Sequence, residues 1–195
     1  MNTSQPQDKS NGYEAIAEDF LRARNLRIGP STVRAWSRSL APGAAVLDLG
    51  CGFGAISQVL LEDGFTVYGV DASQSMIRAF KERFPEAPAD CAAVEDSVFF
   101  HRIFDAIVAW GLIFLLSPDT QQLLIRKAAK ALQPGGRFLF TAPREAVTWK
   151  DGMTGLESIS LGAPQYDELL QAEGLIVTGQ DVDEGDNYYY FASRL

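Results

Sequence analysis

Residues 46–55, V-L-D-L-G-C-G-F-G-A, constrain the fold more than any other part of the chain. An apolar run ends there in three glycines at alternate positions, Gly50, Gly52 and Gly54, and a helical pattern starts directly after them. Glycine admits positive φ and lets a ligand approach the backbone closely, while the first turn of the following helix leaves N–H groups unpaired. A strand, a glycine turn and a helix in this order put a nucleotide-like ligand at the carboxyl edge of a sheet.

The same rhythm continues along the chain. The run at 45–49 is followed by a helix over 56–61, and a second run at 65–70 by a helix over 76–84. A short third strand is expected at 91–94, a fourth at 104–110 and a fifth at 137–141, with an amphipathic helix over 120–132 closed by Pro134, Gly135 and Gly136. Strands alternating with helices pair in parallel through right-handed crossovers, which gives an open α/β sheet covered on both faces. The end breaks this pattern. After a connection over 143–163 and a helix over 165–173, strands at 175–179 and 188–192 are separated only by a turn around 184–186. Two strands without a helix between them form a hairpin, so the last strand runs antiparallel and brings the count to seven.

A chain of 195 residues can bury roughly 70% of its unfolded surface, enough for one domain without disulfides or a structural metal. That domain is expected to span 13–195. Residues 1–12 are polar and aperiodic and predict a mobile end, 13–42 predict a helical lid, and 143–163 a substrate loop. With 17 Lys plus Arg against 25 Asp plus Glu, the net charge of −8 argues against a surface that grips nucleic acid throughout. The longest apolar stretch, 106–116, has 11 residues, against roughly 20 for a membrane span. No secretion signal is read at the start, and two cysteines, Cys51 and Cys91, suggest a reducing cytoplasm and no cysteine-based metal site.

Two carboxylates narrow the ligand. Asp71 ends the second strand, 71 − 50 = 21 residues after the first glycine, where a ribose diol is held in either a dinucleotide or an adenosine site. Asp48 lies just before the glycines. Beside a pyrophosphate it would crowd like charges, whereas beside an ammonium group it would neutralise a cation. Gly50, Gly52 and Ala55 also satisfy the G-x-G-x-x-A pattern of NAD-binding proteins. That alternative explains neither Asp48 nor the terminal hairpin, and no Tyr-x-x-x-Lys pair is present to serve it.

Taken together, these motifs resemble class I S-adenosylmethionine-dependent methyltransferases of the small, stand-alone bacterial type, over 45–141. The resemblance implies a Rossmann-like seven-stranded sheet, mostly parallel with an antiparallel C-terminal strand, and S-adenosyl-L-methionine as cofactor. It implies that Gly50, Cys51, Gly52 and Gly54 wrap the methionine part and that Asp71 binds the ribose. Y-G-V-D-A-S at 68–73, followed by Met76, fits the family's second motif, with Ala72 and Met76 beside the adenine. F-D-A-I-V-A-W at 104–110 fits the strand that ends at Trp110 under the reactive methyl, and L-Q-P-G-G-R-F-L-F at 132–140 fits the turn into strand five. One departure follows strand three. Many relatives carry D-A-E, whereas this chain has A-V-E-D, so Ala93 offers no carboxylate to the adenine amino group. Glu95 or Asp96 takes that part instead, and Val94 offers its backbone N–H.

The expected activity is in-line methyl transfer to a small-molecule acceptor, with no nucleic-acid or membrane partner. The alternative is a catalytically silent cofactor-binding or regulatory module. The sequence assigns no catalytic residue: Glu145, Asp151 and Glu184 are candidate bases that position alone does not separate. Outside the motif the plainer assignments hold. His101 is a solvated loop residue, Cys51 a small packed side chain whose thiol pKa a helix N-terminus would lower, and Asp119 with Thr120 a helix-start feature. Arg22, Arg24, Arg27, Arg34 and Arg38 form a solvated basic face or, as the sharper alternative, meet an anionic substrate. Trp110, Phe114, Trp149 and residues 188–190 either pack in the core or wall an apolar acceptor pocket facing the sulfonium.

Overall fold

A computed structural model describes residues 8–23 and 29–195. Seven strands form one sheet: β1 (Ala45–Leu49), β2 (Thr66–Asp71), β3 (Ala89–Cys91), β4 (Phe104–Ala109), β5 (Leu132–Thr141), β8 (Leu175–Val182) and β9 (Tyr188–Arg194). Their order is β3-β2-β1-β4-β5-β9-β8. The first five pair in parallel, and β9 runs antiparallel to both β5 and β8. The remaining strands, β6 (Ala146–Lys150) and β7 (Glu157–Leu161), make a separate antiparallel hairpin. The helices are α1 (Ala17–Ala23), α2 (Pro30–Ser37), α3 (Ala55–Glu62), α4 (Gln74–Arg83), α5 (Pro118–Ala131) and α6 (Ala163–Ala172).

β1 is buried at every position because helices cover both faces of a parallel sheet. Successive side chains alternate between those faces. Leu47 and Leu49 join Ile107, Phe138, Phe140 and the buried side of α5 in one cluster, while Val46, Val108 and Leu139 meet Trp36, Ile56 and Leu60 of α2 and α3 in the other. Asp48 shares the Val46 side and so faces α3. The sheet order reverses direction between β1 and β4, and in open α/β sheets this is where a crevice opens at the strand ends.

Several boundaries differ from the sequence expectation. β3 covers Ala89–Cys91, not 91–94, because the Ala92 N–H bonds to the Asp71 carbonyl and the chain then turns at 94–96. β5 starts at Leu132, which pairs with Phe104 before the register shifts, so Pro134, Gly135 and Gly136 lie in an irregular strand entry and not in a closing loop. Residues 143–163 contain the β6–β7 hairpin. Its signal is faint in sequence because β6 carries mostly exposed side chains. The N-cap of α5 is Ser117, whose Oγ accepts from the Thr120 N–H, and Asp119 follows within the first turn.

Candidate functional site

The carboxyl ends of β1, β2 and β4 open onto a cavity of about 580 Å³, within the size range of small-molecule and cofactor sites. Asp48, Gly50, Cys51 and Gly52 reach it from the end of β1 and the turn beyond. Asp71, Ala72 and Met76 come from β2 and the start of α4, Val94 and Glu95 from the turn after β3, and Trp110 from the end of β4. Gly54 is the one residue of the expected set outside this lining. It caps α3 at φ 87°, and a Cβ there would fall 2.5 Å from the Phe84 ring. Its requirement for glycine is therefore set by helix–helix packing and by backbone conformation.

Asp71 is aimed by the backbone. Its Oδ1 accepts from the Ser73 N–H at 2.8 Å and its Oδ2 from the Gly52 N–H at 2.9 Å. Each carboxylate oxygen keeps a second lone pair, so two hydroxyls can be received side by side. Burial raises its pKa, an effect that the two backbone N–H bonds oppose. Asp48 is 1% exposed and accepts from the Ser57 hydroxyl of α3 at 2.6 Å. Burial pushes its pKa up to about 7; the Ser57 bond works against that shift, and the Asp71 charge adds to it. An isolated carboxyl of this kind gains most from a cation placed beside it. Cys51 is buried, and burial drives its thiol pKa upward, which overrides the lowering expected from the helix N-terminus.

The N-terminal segment borders the site both within the span 13–42 and ahead of it. Lys9, Ser10, Asn11, Tyr13 and Phe20 all line the cavity. Over the described part of the polar start, 8–12, the Lys9 ammonium lies 2.6 Å from Asp96, and Ser10 bonds Asp8 and the Glu14 N–H. Glu14 accepts from Ser73 Oγ, Ser75 N and Ser75 Oγ, tying the strap to the start of α4. Asn11 Nδ2 is buried with no protein partner among the described residues. Tyr13 packs edge-on to Phe20, and its hydroxyl pKa is pushed up to about 12, chiefly by burial and further by the charges of Asp151 and Asp71. Phe20 lies within the segment expected to be helical, and nothing local marks which sheet edge it covers.

On the opposite side the Trp110 indole N–H donates to the Tyr189 hydroxyl at 2.8 Å, and that hydroxyl donates to Asp183 at 2.7 Å. Asp183 also receives N–H groups of Gly185 and Asn187, so the β8–β9 turn is tied to the end of β4. Phe114 and Asn187 line both the first cavity and a second one of about 480 Å³, whose walls include Trp149, Tyr188, Arg144 and Glu145. Phe114 and Trp149 are in ring contact at 5.4 Å. The three candidate bases separate here. Asp151 lines the first cavity, where its Oδ1 accepts from Met153, Thr154 N and Thr154 Oγ1, Glu145 lines the second, and Glu184 lines neither.

Outside the cavities, Arg22 pairs with Glu18 and Asp19, and Arg34 with Glu62 and Asp63. Those two arginines are thus balanced by the chain's own carboxylates, and Arg38 is exposed, while Arg24 and Arg27 lie outside the described residues. His101 is exposed at the end of a tight turn. Among the described residues no helix is long and apolar enough to cross a membrane.

A family model described as a methyltransferase domain matches residues 46–136. An uncharacterized methyltransferase of Synechocystis is 31% identical over 57% of this chain and 52% of its own length. A sarcosine/dimethylglycine N-methyltransferase of Halorhodospira halochloris is 32% identical over 60% of this chain and 44% of its own. The chain thus spans about half the length of the curated relatives it matches. The crystal structure of magnesium protoporphyrin IX methyltransferase from Synechocystis with bound S-adenosylmethionine shares the fold, with a TM-score of 0.77, 16% identity and full coverage of both chains. The matched span covers the ends of β1, β2 and β4 and the turns after them that build much of the first cavity.

Proposed function

We propose that the first cavity binds S-adenosylmethionine and that the protein transfers its methyl group to a small-molecule acceptor entering from the second. The observation that carries this is the meeting of Asp48, the glycine turn and the backbone-aimed Asp71 at one sheet edge, with Phe114 and Asn187 shared between this cavity and the second. The residues present fit the cofactor. Asp71 offers two acceptors at the spacing of a ribose diol, buried Asp48 offers an anion to an ammonium group, and Asn11 Nδ2 is a buried donor with no protein acceptor among the described residues. Of the two acids after Ala93, Glu95 lines the cavity with Val94 and stands on the adenine side, while Asp96 lies outside the lining and pairs with Lys9.

The bound cofactor supplies an electrophilic methyl on a sulfonium, so the protein's task is alignment and exclusion of water. Trp110 is anchored through its N–H, which leaves the π face of its indole for a cation or an apolar acceptor. The strap carrying Tyr13 and Phe20 shields the cavity from solvent. For a hydroxyl acceptor Asp151 is the carboxylate best placed to take the proton, since it alone of the three candidates lines the cofactor cavity. The named relatives act on acceptors as different as sarcosine and a magnesium porphyrin, consistent with a fixed cofactor half and a variable acceptor half.

Methyl transfer from labelled S-adenosylmethionine across a panel of small amines, phenols and carboxylic acids tests this proposal. Labelled product with at least one class supports it. Tight cofactor binding without product in any class supports the silent-module alternative instead.

A further inference from the structure

We propose that Lys127 of α5 is a positioning residue for the adenine side of the cofactor cavity, acting by aiming the Glu95 N–H at the ligand. The inference rests on the cofactor assignment above and extends it to a side chain outside the cavity lining.

The half-buried Lys127 ammonium donates to the carbonyls of Val94 and Glu95, the latter at 3.2 Å, and to that of Ser97 at 2.7 Å. It also sits 4.7 Å from the centre of the Phe99 ring. One ammonium thus uses its three donors on three carbonyls of a single turn, a use that a surface lysine rarely finds. The turn is hard to hold otherwise. Phe99, Phe100 and His101 follow at φ 48°, 57° and 51°, a left-handed run that side chains with a Cβ disfavour.

The consequence for the ligand follows from peptide planarity. In a trans peptide the N–H points opposite to the carbonyl of the same unit. With the Val94 carbonyl drawn to Lys127, the Glu95 N–H of that unit is turned away from α5. Val94 and Glu95 both line the cavity, and the Glu95 N–H has no protein acceptor among the described residues. The next unit is held in the same manner: the Glu95 carbonyl faces Lys127 and the Asp96 N–H closes onto the Ala93 carbonyl. Glu95 therefore presents a backbone donor to a ring nitrogen, beside the Val94 N–H, which likewise has no protein acceptor among the described residues. Because Ala93 has no carboxylate, an oriented backbone donor takes a larger share of adenine recognition here. Lys127 acts through the Val94–Glu95 peptide and touches no reacting atom.

The test uses calorimetry with two ligands, S-adenosylhomocysteine and methylthioadenosine; the second carries the adenosine without the amino-acid part. Lys127→Met should weaken both by about the same factor, on the order of tenfold, while Lys127→Arg, which keeps the charge and the donors, stays within about threefold of wild type. Unchanged nucleoside affinity in a folded Lys127→Met protein overturns the proposal, as does a loss confined to S-adenosylhomocysteine. If Lys127→Met does not fold, amide exchange on the wild type decides: the Glu95 amide gains protection when methylthioadenosine is added, and unchanged exchange in saturated protein overturns the proposal. A wild type that binds neither ligand defeats the cofactor assignment and this proposal together.

Discussion

The two halves of the site are built by different means. The cofactor half consists of strand ends and the turns directly after them, so its geometry is fixed by backbone: Gly52 N–H and Ser73 N–H orient Asp71, and the Asp48 position in β1 turns its side chain toward α3. The acceptor half is assembled from segments distant in sequence and held by side chains. Trp110 reaches Tyr189 across 79 positions. Backbone-built sites tolerate little change, whereas side-chain fasteners can be exchanged one at a time. A fold of this kind can therefore keep one cofactor while its acceptor varies.

The largest expected effect falls on the backbone-built half. Asp71→Ala removes both hydroxyl acceptors and releases two backbone N–H groups, and S-adenosylmethionine affinity measured by calorimetry should fall about 100-fold or more. A loss below tenfold would show that the ribose site lies elsewhere.

Asp48 gives a pH signature. A cationic amino group prefers the ionised carboxyl, so with a pKa of about 7 affinity should rise roughly tenfold between about pH 6 and pH 8. Asp48→Asn should flatten that dependence. The ligand-free protein shows the opposite trend. The folded state keeps a proton that the unfolded chain releases near its ordinary carboxyl value, so between about pH 4 and about pH 7 stability falls as pH rises. Thermal melts of Asp48→Asn over that window should lack this slope.

Changes in the acceptor half should leave cofactor affinity alone. Tyr189→Phe removes the hydroxyl joining Trp110 to Asp183. Turnover should drop by about five- to tenfold with cofactor binding unchanged, since a misplaced wall costs alignment. An equal loss of cofactor affinity would erase the distinction between the halves. The mildest change falls on the cofactor half: Glu14→Ala, at the exposed latch of the strap over the first cavity, should raise cofactor KM about threefold.

The same division explains what could be read in the sequence. Short apolar runs, their glycine turns and the acids at positions 48 and 71 are local patterns, and they carried the sheet, the antiparallel ending and the strand-end part of the cavity lining. The β6–β7 hairpin escaped because β6 is mostly exposed and the buried positions of β7 are held by serines, Ser158 and Ser160, not by apolar side chains. Gly54 was grouped with its neighbours because spacing does not reveal that Phe84 packs against it. The docking of the N-terminal strap escaped for a related reason: an exposed glutamate at position 14 gives no hint that three donors around α4 will receive it. The role of Lys127 depends on a turn 30 to 33 residues away, a relation that no window of sequence contains.

Titration calorimetry with S-adenosylmethionine tests the central claim most directly. The account predicts saturable one-to-one binding in the micromolar range, nearly abolished in Asp71→Ala and retained in Tyr189→Phe. No heat with S-adenosylmethionine, combined with saturable binding of NAD, would contradict it.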